Sequence, residues 1–201
     1  YGYMNRGEHE GEVGVGIYYF DVERNLIQEK AFIPSKKSYA IAADELGKMV
    51  YYNHAEEQLY VLADGTLYQV DLKKNKQTTL AENLKEGQYA VSSDGHLMAY
   101  QSEGDKSGGT VILVMNLSSL ETNTVEAASG EKISPLGFVN GDFIYGKMKS
   151  EDAGKKASGE LITPMYELEI RNSKNKKVAS YSFVDKGIYI SDILIDDNMV
   201  T

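Results

Sequence analysis

The sequence predicts an all-β fold assembled from repeated antiparallel sheets, and three observations support this prediction. A phrase recurs in which a short apolar strand, an Asp/Gly/Asn turn and a second strand follow one another, at residues 40–51, 90–100 and 134–145 and, cut short, at 190–201. The copies lie roughly 50 residues apart, a period typical of β-propeller blades. The 15 tyrosines suit half-buried pleated surfaces. No apolar stripe at helical spacing is long enough to predict a helix.

The second recurring element is a hairpin, in which two alternating segments flank a short polar turn. It occurs at residues 14–33, 66–81, 111–126 and 165–183. Joined to the phrase, it gives four antiparallel strands per blade and about four blades in a single domain, 1–201. The predicted blades are 1–37 (partial), 38–87, 88–131, 132–187 and 188–201 (partial). Their inner strands are predicted at residues 39–43, 89–92 and 134–138.

Composition excludes several kinds of partner. The net charge is −9 and the pI is near 4.9, which opposes binding to nucleic acid and to anionic membranes. The lysine-rich runs at 73–76 and 174–177 lie between strand patterns and are interpreted as solvated turns. Without cysteine, the chain has no disulfide, thiolate metal site or cysteine nucleophile. No apolar run reaches the length needed to span a bilayer, about 18 residues. The chain starts at Tyr1 and stops inside a strand pattern, which indicates a piece of a longer protein.

Residues with catalytic or metal-binding potential are few. His9 lies between two glutamates, His54 at a strand end, and His96 directly after a turn, and each position favours an exposed, non-catalytic role. Residues 104–109 lack the Gly-x-Ser-x-Gly spacing of a nucleophile elbow. The glycines at 11–16 precede no helix, and no calcium-loop spacing is present. We therefore predict no catalytic, cofactor-binding or metal residue and no cofactor, although a site made only of carboxylates stays open.

The loops that follow the second strands vary most, at residues 5–12, 101–109 and 149–163. Equivalent loops of a radial repeat emerge on one face, so these three are predicted to cluster there and to contact any partner. The longest is rich in glycine, serine and charge. It is predicted to be the first site of proteolysis, between Lys149 and Ser158.

The residues Ser92-Ser93-Asp94-Gly95, followed by Ala99-Tyr100 and by the strand at 111–116, resemble the TolB-like family of β-propellers. The resemblance is clear in 88–131, partial in 38–87, where Leu46-Gly47 occupies the turn, and weaker in 132–187. It implies blades, and it implies no particular activity. Such propellers serve as envelope scaffolds, as protein-binding modules and as substrate-gating domains of serine oligopeptidases.

The function predicted is therefore that of a non-enzymatic, extracytoplasmic bacterial propeller, a scaffold that binds another protein or a peptide. One alternative is the propeller portion of a larger enzyme, such as a serine oligopeptidase, with the catalytic domain outside these residues. Another is a closed four-bladed propeller, in which residues 190–196 complete the blade begun at Tyr1.

Overall fold

A computed structural model describes residues 2–4, 6–105, 108–155, 159, 161–184, 189–190, 193, 195–196 and 199–200. The chain divides into two compact units, Tyr1–Asn83 and Leu84–Thr201. The predicted fold class is confirmed, because the chain is all-β and a partial β-propeller built from antiparallel sheets. That the blades form one domain stays a prediction.

The first unit contains two antiparallel sheets and a helix. The first sheet has the strand order β1-β2-β3, and the second has the order β4-β5-β6-β7. The helix α1 lies between them in sequence. The elements are β1 (Gly2–Tyr3), β2 (Val13–Asp21), β3 (Leu26–Pro34), α1 (Tyr39–Lys48), β4 (Val50–Asn53), β5 (Gln58–Ala63), β6 (Thr66–Asp71) and β7 (Lys76–Ala81).

The second unit contains two four-stranded meanders, β8-β9-β10-β11 and β12-β13-β16-β17, joined where Gly109 of β10 pairs with Ile133 of β12. They lie in the segments predicted as blades, 88–131 and 132–187. Two short strand pairs, β14-β15 and β18-β19, are separate from them. The elements are β8 (Tyr89–Val91), β9 (Leu97–Asp105), β10 (Gly108–Asn116), β11 (Thr122–Glu126), β12 (Glu131–Val139), β13 (Asp142–Lys149), a 3-10 turn (Ser150–Asp152), β14 (Gly154–Lys155), β15 (Leu161–Ile162), β16 (Met165–Arg171), β17 (Lys177–Ser182), β18 (Ile195–Asp196) and β19 (Met199–Val200).

All four predicted hairpins are confirmed, as β2-β3, β6-β7, β10-β11 and β16-β17. Each turn begins with an Asp or Asn at or just after the end of its first strand, whose side-chain oxygen accepts backbone N–H groups of the turn, as is typical of Asx turns. A left-handed residue then closes the turn. The accepting residues are Asp21, Asp71, Asn116 and Asn172, and the left-handed residues are Asn25, Asn75, Leu120 and Asn175.

Each unit has its own apolar core. In the first unit, residues of β2 and β3 pack with residues of β5 and β6, and Leu46 of α1 packs against this cluster. In the second unit, side chains of both meanders form one cluster that includes Ala99, Ile112 and Phe143. Ala99 and Ile112 are fully buried, and burying an aliphatic side chain of isoleucine size contributes about 2 kcal/mol.

The inner strand predicted at residues 39–43 is wrong, because this segment begins α1. Its sequence, Ala-Ile-Ala-Ala-Asp-Glu-Leu from residue 40, contains mostly good helix formers and a single β-branched residue. The four strands of this blade begin instead at Val50, and the strand-like residues at 58–65 supply β5 and the turn after it. Strands are confirmed in the segments 89–92 and 134–138, as β8 and part of β12, and their inner position in a blade stays a prediction.

Candidate functional site

The loops predicted to carry recognition have three different outcomes. Residues 6–12 are an irregular segment closed by two backbone hydrogen bonds, Met4 N to Glu12 O at 2.8 Å and Gly11 N to Met4 O at 2.9 Å. The prediction of a loop at 101–109 is wrong, because β9 continues through Asp105 and β10 starts at Gly108. The segment 149–163 holds the 3-10 turn and the β14-β15 pair. Its predicted cleavage site reaches residues 156–158, which lie outside the described residues.

Histidine 9 holds the first of these loops against the sheet. Its Nε2 lies 2.9 Å from Glu29 Oε1 and its Nδ1 3.5 Å from Glu12 Oε2. The imidazole stacks on Phe32, with ring centroids 3.8 Å apart. The hydrogen bond to Glu29 raises the pKa of His9 above 6.5 and lowers the pKa of Glu29. His9 therefore connects a loop to β3.

Gly14 leaves the space that this stacking requires. A Cβ at position 14 would lie 2.6 Å from the Phe32 ring and 2.5 Å from the carbonyl oxygen of Ile33. Such contacts are far inside van der Waals distance, so a side chain would displace the ring or the backbone. Gly14 and Gly16 thus serve packing within β2, whereas Gly11 has no atom within 4 Å of an added Cβ.

The other two histidines lie at turns. His54 lies in the turn after β4, with its ring centroid 5.9 Å from that of Tyr52. His96 lies in the turn between β8 and β9, where its Nδ1 is 2.6 Å from Asp94 Oδ1. In the described part of the chain, no three His, Asp or Glu side chains are grouped so that they could hold a metal ion.

Ser92, Asp94 and His96 have the composition of a hydrolase triad but not its connectivity. The Ser92 hydroxyl donates to Asp94 at 2.7 Å and accepts a hydrogen bond from Leu97 N at 3.0 Å. A nucleophilic serine must instead donate to the histidine, with the carboxylate on the far side of the ring. Here the carboxylate lies between the two other residues. The arrangement stabilises a turn and does not activate the serine.

Partial burial acts to raise the pKa of Asp94, but the hydrogen bonds from Ser92 and His96 outweigh it and hold that pKa below 3.8. The carboxylate is therefore ionised at neutral pH. Its side chain is 62% exposed, so its charge can reach a ligand that lies over the turn.

Next to this turn lies a cavity of about 310 Å³, which we call the turn groove. No sequence pattern predicted this groove. The turn before β9 forms one wall, the turn between β12 and β13 forms the other, and two apolar side chains lie between them. Its lining residues are Ser92, Ser93, Asp94 and His96 on the first wall, Asn140 and Gly141 on the second, and Leu97 and Phe138 between them.

Both walls have fixed backbone geometry. Ser92 N donates to Leu97 O and Gly95 N to Ser92 O, both at 2.9 Å. On the opposite wall, Asn140 and Gly141 have φ of 51° and 84°, values that match the type I′ turn for which Asn-Gly is preferred. In the sequence, the Asn-Gly pair is the feature that predicts the turn forming this wall.

A smaller cavity of about 40 Å³ shares Leu97, Phe138 and Gly141 with the turn groove and leads toward the outer strands. There the two blades are tied together by amide side chains. Asn123 Nδ2 donates to Ser173 O at 3.1 Å, and Asn175 Nδ2 donates to Thr124 O at 2.9 Å. The cavities thus lie at a cross-linked junction of two blades, with apolar side chains below and carboxylates and amides at the rim.

Among the residues that the structure describes, the most buried charged group lies elsewhere in the second unit and serves structure. Glu169 is 4% exposed, and both Nε and Nη2 of Arg171 lie 2.8 Å from its Oε1. Burial acts to raise the pKa of Glu169, but the hydrogen bond from Tyr145 and the charge of Arg171 hold it below 4.5. Because this carboxylate is paired within the sheet, it offers no free group to a substrate.

The two four-stranded meanders of the second unit and the junction between them are typical of the repeats of a β-propeller, and this is the fold class of the chain. No protein-family description matches the sequence, and no match was found among curated proteins. In the described part of the chain, no helix has the length and apolar character needed to cross a membrane.

Comparison with solved structures finds propeller-containing proteins at low identity. The WD40 domain of Toxoplasma gondii coronin is 13% identical over 74% of this chain and 37% of that one, with a TM-score of 0.34. Porphyromonas gingivalis dipeptidyl peptidase 4 is 8% identical over 87% and 37%, with a TM-score of 0.31. A putative TolB from Agrobacterium tumefaciens is 9% identical over 84% and 69%, with a TM-score of 0.29. The chain spans 37% of the length of the first two of these proteins.

Proposed function

We propose that this partial propeller is a non-catalytic interaction module that binds an extended peptide segment of another protein in the turn groove. The observation that carries the proposal is the groove itself, about 310 Å³ in volume, between two turns of fixed geometry. Pockets of this size with an apolar floor and a few convergent polar groups are the usual ligand sites of proteins.

The lining indicates the chemistry of the segment. Leu97 and Phe138, which are 9% and 8% exposed, supply the apolar part of the lining, against which an aliphatic or aromatic side chain can pack. Ser93 also lines the groove and carries a hydroxyl that can pair with a peptide backbone. Asp94 lies at the rim of the groove and Glu121 lines the adjoining cavity, and the chain carries a net charge of −9. A basic residue next to the apolar one therefore complements the site.

The binding experiment uses short amidated peptides with a Lys-Phe or Lys-Leu pair, titrated against the ¹⁵N-labelled chain. Ser93→Arg places a bulky cation in the groove and is expected to weaken binding at least tenfold, about 1.4 kcal/mol. The control is Ser129→Arg. Ser129 is an exposed serine two residues before the first residue of β12, whereas the groove lies beyond the last residue of that strand. Equal affinity for both variants, or shifts away from residues 92–97 and 138–141, would contradict the proposal.

The absence of catalysis is part of the proposal. It is supported by the Asp-centred arrangement of Ser92 and His96, which leaves the serine unactivated. The chain is expected to show no turnover of peptide, ester or phosphoester substrates. Robust hydrolysis that disappears in His54→Ala or His96→Ala would overturn this.

We also propose an extracytoplasmic, bacterial origin and membership of the TolB-like family, supported by the residues 92–95 and 99–100 of the second complete blade. The lack of cysteine is compatible with an oxidising compartment. Fractionation of the source cells tests the location. Recovery of the protein with cytoplasmic markers would contradict it.

A further inference from the structure

A bulge in the first sheet decides on which face Glu29 lies. Strands β2 and β3 pair Gly16 with Phe32 but Tyr18 with Glu29, and the additional residue on β3 is Lys30. Side chains alternate along a regular strand, so Glu29 would otherwise lie on the face opposite Phe32. The inserted residue reverses this alternation, because a bulge re-aims the side chains that follow it. Glu29, Phe32 and Tyr18 therefore share one face.

Glycines of β2 leave room for two aromatic rings on this face. A Cβ at Gly14 would lie 2.6 Å from the Phe32 ring, and a Cβ at Gly16 would lie 2.7 Å from the Tyr18 ring. Both rings therefore lie close over the backbone of β2. The Tyr18 hydroxyl donates a hydrogen bond to Glu29. The face is thus a built surface, with a carboxylate held beside two packed rings.

His9 reaches this surface from residues 6–12, a segment that we call the strap. Its Nε2 lies 2.9 Å from Glu29 Oε1, and its Nδ1 lies 3.5 Å from Glu12 Oε2. The imidazole also stacks on Phe32, with the two ring planes 11° apart. A protonated imidazole donates from both nitrogens, whereas a neutral one has a single N–H and directs a lone pair at the other carboxylate. The charged form of His9 therefore fits this position better than the neutral form.

We propose that the strap is a pH-sensitive device, held on the first sheet while His9 carries both ring protons and loosened when it loses one. Backbone hydrogen bonds close the strap on Met4, and the His9 side chain attaches it to β3. Loss of a proton removes a charge-assisted hydrogen bond. It also leaves two carboxylates beside a ring without positive charge. The strap lies in the first unit and the turn groove in the second, so either proposal can fail without the other.

The groups that face His9 set the pH range in which the strap is held. The hydrogen bond to Glu29 raises the pKa of His9 above 6.5, against partial burial, and the charges of Glu29, Glu12 and Glu8 act in the same direction as that bond. The contribution of His9 is therefore fully present below pH 6.5 and is lost as the pH rises through its raised pKa. Tyr18, the titratable neighbour on β2, has a pKa above 10 and keeps its proton throughout.

The acidic limit of this range depends on Glu29. The hydrogen bonds from His9 and, next, from Tyr18 hold the pKa of Glu29 below 4.5. The contribution of Glu29 is present above pH 4.5 and is lost as the pH falls through this lowered pKa. The strap is thus expected to be held most firmly between the lowered pKa of Glu29 and the raised pKa of His9.

Carbon-detected NMR of the full chain, followed from about pH 5.5 to pH 9, tests the basic limit. Ring carbon shifts of His9 give its pKa, and NOEs between the ring protons of His9 and Phe32 report the stacking. These NOEs are expected to weaken at least about twofold as His9 loses its proton. The Cα shifts of residues 6–12 should move toward random-coil values with the same midpoint.

A matched pair of variants locates the charge that holds the strap. Glu29→Gln keeps the size of the side chain and removes its charge, so the midpoint of His9 should fall toward 6.5 and the release of the strap should move with it. Glu10→Gln makes the same change at an exposed residue of the strap that is not among the groups raising the pKa of His9. This control is expected to leave the midpoint in place.

His9→Phe separates titration from stacking, because phenylalanine can stack on Phe32 but has no proton to lose. In this variant the Cα shifts of the strap are expected to lose their dependence on pH over the same range. Stacking that persists unchanged while His9 titrates overturns the proposal. The same conclusion follows if the strap of His9→Phe responds to pH with the original midpoint, or if Glu29→Gln and Glu10→Gln shift the midpoint equally.

Discussion

Two copies of the same sequence phrase fold differently in this chain. In residues 90–100, β8 leads through the five residues 92–96 into β9. In residues 40–51, the corresponding apolar segment and turn are the helix α1, and only the last residues enter a strand, β4. The apolar–Asp–Gly–Tyr order is shared. The structure is therefore decided by the few residues at the turn.

The second copy contains specific turn chemistry. The Ser92 side chain accepts from Leu97 N, Asp94 accepts from Ser92 and His96, and Gly95 has φ of 76°, a region that favours glycine. The first copy has Asp44-Glu45-Leu46 before Gly47. Without a serine to close the turn, these residues continue the helix that Ala40–Ala43 favour.

Burial supports the helix in the first copy. Ala42 and Met49 are 6% and 1% exposed, and Leu46 packs against the core of its unit. Ala42 and Leu46 are four residues apart and share one face of α1, and Met49 follows directly after the end of the helix. Glu45 on the same turn accepts from Asp64 N at 2.7 Å and Gly65 N at 2.8 Å, and lies 2.7 Å from Lys37 Nζ. The helix is thus attached to the β5-β6 turn.

The largest effect is expected for Glu45→Ala, which removes that attachment and leaves two turn N–H groups without an acceptor. Because the bonds involve a charged group that is 14% exposed, the free energy of unfolding of the first unit should fall by about 2 kcal/mol. Urea denaturation followed by circular dichroism measures it.

The control is the neighbouring residue. Asp44 is 72% exposed and makes an i,i+4 pair with Lys48 at 3.4 Å, so Asp44→Ala should change stability by less than about 0.5 kcal/mol. Equal losses for the two variants would show that Glu45 does not distinguish the first copy from the second.

Much of the fold was predictable because its signals are local. Alternation and polar turns identify the hairpins β2-β3, β6-β7, β10-β11 and β16-β17. The helix was missed because its inward apolar face is only Ala42 and Leu46, too few positions to distinguish it from a short strand. The turn groove was missed for another reason. Its walls are about 45 residues apart in sequence, and a pocket between them arises only when two blades pack.

The next largest effects on the free energy of unfolding are expected at Gly95 and Gly47. These glycines occupy corresponding positions in the two copies, and the two changes are expected to have opposite signs. Gly95→Ala forces a side chain into the left-handed region and should lower the free energy of unfolding by about 1 kcal/mol. Gly47→Ala lies inside α1, where no atom lies within 4 Å of the added Cβ, and should raise it by about 0.5–1 kcal/mol. Paired urea titrations compare the signs. A loss at both positions would mean that residue 47 needs glycine in a turn, as residue 95 does.

The smallest expected effect concerns the pKa of Asp94, whose carboxylate accepts hydrogen bonds within the turn of the second copy. The pKa of Asp94 is below 3.8 in the folded chain, since the bonds from Ser92 and His96 outweigh partial burial. Its contribution to stability is therefore present above about pH 3.8 and lost as the pH falls through the lowered pKa. Ser92→Ala removes one donor and should raise the pKa of Asp94 toward 3.8.

Carboxyl ¹³C shifts of Asp94, followed between about pH 2 and pH 6, measure this change. Ser93→Ala is the matched control, because Ser92 is the serine whose hydroxyl lies 2.7 Å from the Asp94 carboxylate. The control should leave the midpoint in place. If Ser92→Ala also leaves it in place, the serine closes the turn through Leu97 N alone. The difference between the two copies would then depend on Gly95 and on the helix-forming residues 40–46, with no part played by the carboxylate.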